Sequence, residues 1–169
     1  RAELMAAIGR SDAWNRFRVY CPVTQEGQGI YVHSKITIVD DRQLRVGSAN
    51  MNNRSMGFDS ECDLLIDKGQ GESGAVERAI GTLRCDLLAE HLGVSSDTIE
   101  AAFQRTGSLI GTIESFRSGT GRGLVPLVPD KPNAVERKLA KAEALDPESA
   151  GDEFEPIARP GLLRRLRRR

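Results

Sequence analysis

The sequence is poor in cysteine, in net charge and in long apolar runs, and each shortage removes a class of explanation. Three cysteines, Cys21, Cys62 and Cys85, stand in 169 residues. An odd, sparse set does not build a disulfide framework and suits a reducing compartment. None sits in a C-x-x-C pair, so zinc is not expected, and no other metal or cofactor is called for. Lys plus Arg number 24 and Asp plus Glu number 24, so no global field draws the protein toward nucleic acid or a membrane. No apolar run reaches the roughly 18 to 20 residues that span a bilayer. No signal peptide is visible, and the chain opens with Arg1 rather than Met, which leads us to expect a fragment or a processed end.

What is present is a foldable domain with a distinct tail. A hydrophobic fraction of 39% supports a core and argues against wholesale disorder. The zero net charge hides segregation: residues 143–155 hold six acids and no base, and residues 161–169 hold five arginines and no acid. The tail "GLLRRLRRR" reads as a solvated terminus, an interfacial segment drawn to anionic lipid, or the flank of a membrane entry.

Along the chain, Ala2 to Ile8 reads as the last turns of a helix. Phe17 to Val23 reads as a short strand and Thr24 to Gly29 as a loop. Ile30 to Val39 is rich in β-branched residues and reads as one strand or two nearly joined. Asp40-Asp41-Arg42 is turn chemistry, Gln43 to Val46 the return strand, and Cys62 to Ile66 a buried strand. Val76, Ile80, Leu83, Leu87 and Leu88 give helical spacing over 73–91, closed by Gly93. Ser96 or Asp97 caps the next helix, with Glu100 completing a capping box, and that helix is expected to run to about Phe116. A glycine- and proline-rich stretch follows, broken by "LVPLV". A short helix is expected over 134–145, then a linker.

The stretch 33–61 carries the chemistry. Alternation on a strand puts His33 and Lys35 on one face, with Ile36 and Ile38 on the other toward a core. Gly47 admits a close backbone approach. Ser48 and Asn50 offer a hydroxyl and an amide at a turn, a natural cradle for phosphate oxygens. Lys35 adds a point charge for the same oxygens. His33 adds a group that can attack phosphorus or pass a proton near neutral pH. The bland reading of a lone strand histidine is an ordinary polar residue. Here it is outweighed by the matched set around it.

The pattern H-x-K-x4-D at His33, Lys35 and Asp40, followed by Gly47, Ser48 and Asn50, resembles the signature of the phospholipase D superfamily. The tract "NNRSMGFDSE" resembles the sequence after the second signature copy in two-copy phospholipases D. Cardiolipin synthases usually carry an aromatic where Met56 stands. The resemblance covers about residues 14–67. It implies an α/β lobe with a mixed sheet flanked by helices, incomplete at its N-terminus. Residues 1–145 would form the catalytic lobe, and 146–169 an acidic linker and arginine-rich tail.

The resemblance also implies a mechanism. Two histidines from two lobes meet across a phosphodiester, one attacking phosphorus and the other protonating the leaving alcohol. His33 would be catalytic, with Lys35 and Asp40 completing its signature. Lys35, Ser48 and Asn50 would bind phosphate, and Glu61 would orient the histidine ring. Asp40 is expected to be structural, bonding local backbone. Arg54 and Ser55 would brace the loop. The three cysteines are expected to be buried, and His91 to suit a helix end. Only one signature copy is present, so a second lobe is needed, from a longer polypeptide or a homodimer partner. The expected substrate is a phospholipid and the expected setting a cytoplasmic, membrane-associated one. A cardiolipin synthase-like phosphatidyltransferase, a nuclease and a catalytically silent scaffold lobe are the competitors. Residues 14–120 show no basic excess, so nucleic acid is not the expected partner.

Overall fold

Tyr20 to Val23 finds its hydrogen-bonding partner a hundred residues further on. In a computed structural model, which describes residues 2–69, 74–117 and 121–128, this strand (β1, Tyr20–Val23) pairs antiparallel with β5 (Gly123–Pro126). The register sets Tyr20 opposite Pro126 and Val23 opposite Gly123. The apolar break in the glycine-rich stretch is therefore a strand. Pro22 and Pro126 fit because a two-stranded ribbon is all edge, where missing N–H donors cost least. Between the two strands come β2 (Lys35–Val39), β3 (Gln43–Gly47), a one-turn α2 (Asn53–Gly57) and β4 (Asp63–Asp67). Helices α3 (Ala75–Leu92), α4 (Ser96–Thr106) and α5 (Leu109–Ser115) follow, and α1 (Ala2–Ser11) precedes β1.

The fold is of the expected α/β class, with the described pairing antiparallel. The order of the second sheet is β2-β3-β4. A three-residue link closes β2 onto β3, which only an antiparallel hairpin allows. For β3 and β4, Lys68 N–H donates to Arg42 O at 2.9 Å and Ser48 N–H to Cys62 O at 3.1 Å, so one strand descends as the other rises. Two compact units separate among the described residues. The larger holds residues up to Val46 and from Leu64 on, and the smaller is Gly47–Asp63.

The core of the larger unit gathers Cys85, Ala89, Leu92, Ile99, Ile113 and Leu124, with Tyr20, Leu88, Val94 and Phe116 at its margin. It is thus built by α3, α4, α5 and the β1–β5 ribbon. The 3.6-residue spacing of α3 is what delivers Cys85, Ala89 and Leu92 to one side. Gly93 ends the helix at φ 68°, its N–H donating to Ala89 O at 2.8 Å.

Four expectations change. The strand expected over 30–39 begins only at Lys35, because residues 31–34 have no ladder partner among the described residues. The cap of α4 is Ser95, whose Oγ accepts Thr98 N–H at 3.2 Å, while Glu100 takes the Cys85 thiol at 3.2 Å instead of closing a capping box. The helix expected to reach Phe116 is broken at Gly107, φ 63°, and restarts with Ser108 accepting Gly111 N–H. Finally, the buried strand expected over Cys62 to Ile66 is β4, in which every residue is exposed, Leu64 by 65% and Leu65 by 61%. It lies at the edge of its sheet, and a continuous apolar run at an edge is not by itself a covered one. The helix expected over 134–145 and the linker and tail after it lie outside the described residues.

Two outcomes test this packing. Ile99 is fully buried, so Ile99→Ala should lower unfolding free energy by about 2–5 kcal/mol in denaturant titration. Tyr20 is pushed up to about 12, first by burial and then by its 2.7 Å hydrogen bond to Glu114. A raised pKa stabilises the neutral phenol, so this contribution is intact below pH 10 and fades as pH climbs toward about 12. Tyrosinate absorbance should show that loss of stability coinciding with ionisation of Tyr20, and Tyr20→Phe should remove the coincidence.

Candidate active site

The hairpin that carries the signature is shaped by its turn. Asp40 and Asp41 both sit at φ 52°, the left-handed pair that matches the twist of a two-residue hairpin turn. Aspartate tolerates this region better than most residues but does not prefer it. Arg42 N–H closes the turn onto Val39 O at 2.9 Å. The Asp41 carboxylate accepts a two-pronged bond from Arg84 of α3, Nε and Nη2 each at 2.8 Å. The side-chain bond to local backbone expected of Asp40 is absent among the described residues; the residue contributes its left-handed backbone to the turn. Its carboxylate makes no hydrogen bond among the described residues, and its neighbour holds the anchor instead.

At the other end of β2, His33 and Lys35 are brought together. Lys35 Nζ lies 3.1 Å from His33 Nε2 and donates to the His33 carbonyl at 2.7 Å. An ammonium has donors only, so this contact makes Nε2 the acceptor and places the ring proton on Nδ1. The two side chains meet because lysine folds back over a residue outside the strand, a different route from strand alternation to the same neighbourhood. His33 is exposed, Lys35 is half-buried, and the Tyr31 ring stands 6.0 Å from the imidazole. Behind them Ile36 and Ile38 face an open apolar groove of about 810 Å³ shared with Leu87, Phe103 and Ile113.

The smaller unit holds the rest of the signature. Ser48 Oγ accepts Cys62 N–H at 2.9 Å and gives its own proton to the Glu61 carboxylate in a short hydrogen bond. Ser48 and Glu61 are thus one assembly. Asn50 is exposed, and its amide makes no hydrogen bond among the described residues. The following loop is braced as expected: Asn52 caps α2 by accepting Ser55 N–H at 2.9 Å, and Arg54 pairs with Asp59 at 2.9 Å. The close approach expected at Gly47 is also present. A Cβ there would stand 2.7 Å from Asp63 Cα, which no ordinary packing permits.

Comparison with known proteins identifies the family. The family model described as Phospholipase D matches residues 19–106. The chain belongs to the phospholipase D family. It is 41% identical over 91 residues to a Phytophthora infestans phospholipase D, covering 48% of this chain and 5% of that protein. A Schizosaccharomyces pombe phospholipase D is 36% identical over 125 residues, covering 69% of this chain and 9% of its own length. Phospholipase D zeta 1 of Arabidopsis thaliana is 36% identical over 96 residues, covering 49% and 9%. The match thus spans a small fraction of these relatives. No solved structure matches the chain.

Sequence reasoning missed two residues of this phospholipase D lobe. Asp41 was read only as turn chemistry, and Arg84 was not singled out. A signal existed: Arg84 stands four residues from both Ile80 and Leu88, a charge on an apolar helix face. The cysteines also differ from expectation. Cys85 is buried and its thiol is raised to about 11 by that burial and by Glu100, Cys21 is half-buried, and Cys62 is exposed. Its backbone serves Ser48, and its side chain is exposed.

Gly47→Ala should be the most damaging conservative change in the signature. The added methyl meets backbone, which cannot swing aside, so a loss of about 1–3 kcal/mol is expected in thermal or denaturant unfolding. Gly57→Ala, where a Cβ meets nothing within 4 Å, is the control and should stay within about 0.5 kcal/mol.

Proposed function

We propose that the chain supplies one signature copy of a phospholipase D-type phosphodiesterase that acts on phospholipids through a phosphohistidine. Residues 1–145 serve as the catalytic lobe in this reading. The single observation that carries it is the exposed His33–Lys35 pair, imidazole and ammonium 3.1 Å apart, inside the family match. A phosphate oxygen competes directly for that ammonium. When it wins, Lys35 turns from Nε2 to the oxygen and leaves the imidazole nitrogen free.

One histidine then bonds phosphorus through nitrogen as the headgroup P–O bond breaks, and a second histidine gives its proton to the departing alkoxide. Water, or a second alcohol, loses a proton to that second histidine and attacks phosphorus, and the P–N bond breaks. The resemblance of the tract after His33 to second-copy sequences favours the acid/base role for it, for which the Nε2 that Lys35 leaves must take up a proton before the alkoxide departs. Lys35, Ser48 and Asn50 stabilise the equatorial oxygens. Ser48 has one proton and already gives it to Glu61, so donating to phosphate costs that bond. The carboxylate so released is the group we assign to orienting the histidine ring. The other signature copy comes from a second lobe of a longer polypeptide or from a second copy of this chain, at a cytoplasmic membrane surface.

Vesicles of mixed phospholipids, with and without butanol, test this. In a polypeptide or dimer that supplies both copies, His33→Ala should cut headgroup release by roughly a thousandfold or more. A butanol adduct would show phosphatidyl transfer. Turnover that survives His33→Ala unchanged would end the proposal. Cleavage of single-stranded nucleic acid in preference to lipid would move the chain to the nuclease reading.

A further inference from the structure

Arg84 is 8% exposed, on a helix whose neighbouring positions Ile80 and Cys85 are each 3% exposed. A guanidinium so placed is tolerable only when matched, and here it is matched on every side. Its fork grips both oxygens of Asp41. Its carbon lies 4.4 Å from the centre of the Phe103 ring of α4. Nη1 reaches the Cys85 sulfur at 3.7 Å, and that thiol is bonded to Glu100, which Gln104 holds in turn at 2.6 Å. One turn earlier on α3, Gly81 leaves the turn room: a Cβ there would come within 3.2 Å of the Asp41 carboxylate.

All of this bears on one point of the hairpin. Two consecutive aspartates at φ 52° form a turn that their own preferences do not enforce. A two-pronged ion pair whose arginine is buried and whose carboxylate is partly exposed, with an aromatic floor beneath the cation, does enforce it. The turn ends β2, and Lys35 begins β2 five residues away. The strand runs between them, and Lys35 in turn grips the carbonyl and the ring of His33.

We propose that Arg84 is a positioning residue for the His33–Lys35 pair, acting through Asp41 and the β2 strand. The proposal rests on the phosphodiesterase reading for its consequence, and on the geometry of the larger unit for its content. With the fork gone, the turn loses the partner that fixes it, β2 shifts at its far end, and the imidazole leaves the ammonium. A displacement of about an ångström at a reacting group is enough to cost on the order of a hundredfold in rate.

The test reads the imidazole directly. In the full chain, the ring-nitrogen resonances of His33 are separated from those of His91 by a His91→Gln variant, and Lys35→Met gives their positions when the ammonium contact is absent. Arg84→Met should move the His33 resonances toward the Lys35→Met positions. Arg84→Lys keeps the charge without the fork and should fall between. A folded Arg84→Met protein whose His33 resonances match the parent's would overturn the proposal, however much its Tm has dropped. Should Arg84→Met fail to fold, Arg84→Lys and Asp41→Asn are judged by the same criterion. In the polypeptide that supplies both signature copies, Arg84→Met should lower kcat about tenfold to a hundredfold with KM within about twofold. An unchanged kcat with a raised KM would also overturn it. If the parent is indifferent to His33→Ala, the phosphodiesterase reading falls alone, and the resonances still decide whether Arg84 governs the pair.

Discussion

The bond between Asp41 and Arg84 is the constraint on which the signature hairpin depends. It joins residues 43 apart in sequence, and it ties a turn in the left-handed region to the longest helix among the described residues. Its strength comes from its surroundings. In water such a pair is worth little, because both ions are well solvated and long side chains resist being fixed. Here the arginine is buried against Phe103 and Cys85, so losing its partner would strand a cation away from water. The pair is therefore better understood as a device for specifying one arrangement than as a source of net stability. That suits a site whose chemistry depends on placement more than on the number of contacts.

The smaller unit solves a related problem with hydrogen bonds. Ser48 both accepts from Cys62 N–H and donates to Glu61, so a single hydroxyl pins the return strand and holds a carboxylate. Gly47 makes this possible by letting Asp63 approach where any side chain would collide. Three residues of the signature thus act before any substrate does. Glycine sets the spacing, serine orders the carboxylate, and the asparagine is left exposed, its amide making no hydrogen bond among the described residues. The serine's one proton is committed to Glu61, so any new acceptor at this loop has to displace that bond.

Much of this was legible, and the reasons differ by element. Helix α3 was visible because its apolar period is long and its stop, Gly93, is a glycine in the left-handed region. The hairpin was visible because β-branched runs flank an Asp-Asp pair. The nearness of His33 and Lys35 was anticipated, although the backbone reaches it by a different path. What stayed hidden was non-local or subtractive. The register of β1 with β5 links residues a hundred apart, and nothing local encodes that partner. The Arg84–Asp41 bond is of the same kind. The break at Gly107 was written in Thr106-Gly107-Ser108, a stop followed at once by a cap, but the apolar spacing on either side concealed it. The exposure of β4 could not be read at all, since "DLLID" looks the same with or without a covering layer.

Exposure also bears on the chemistry. His33 lies open to solvent, and so does Asn50. A phosphoryl transfer gains most from its cations and donors where water is excluded, since screening by solvent weakens each of them several-fold. The proposed reaction also needs a second imidazole, and the sequence offers only His91, at the far end of α3. The same outside surface can meet both needs. A second signature copy would bring the missing histidine and, with it, the wall that dries the site. On this reading the openness of the His33–Lys35 pair is the form that half of a shared site must take, because a pair already enclosed by its own chain would leave no face for the other histidine to enter.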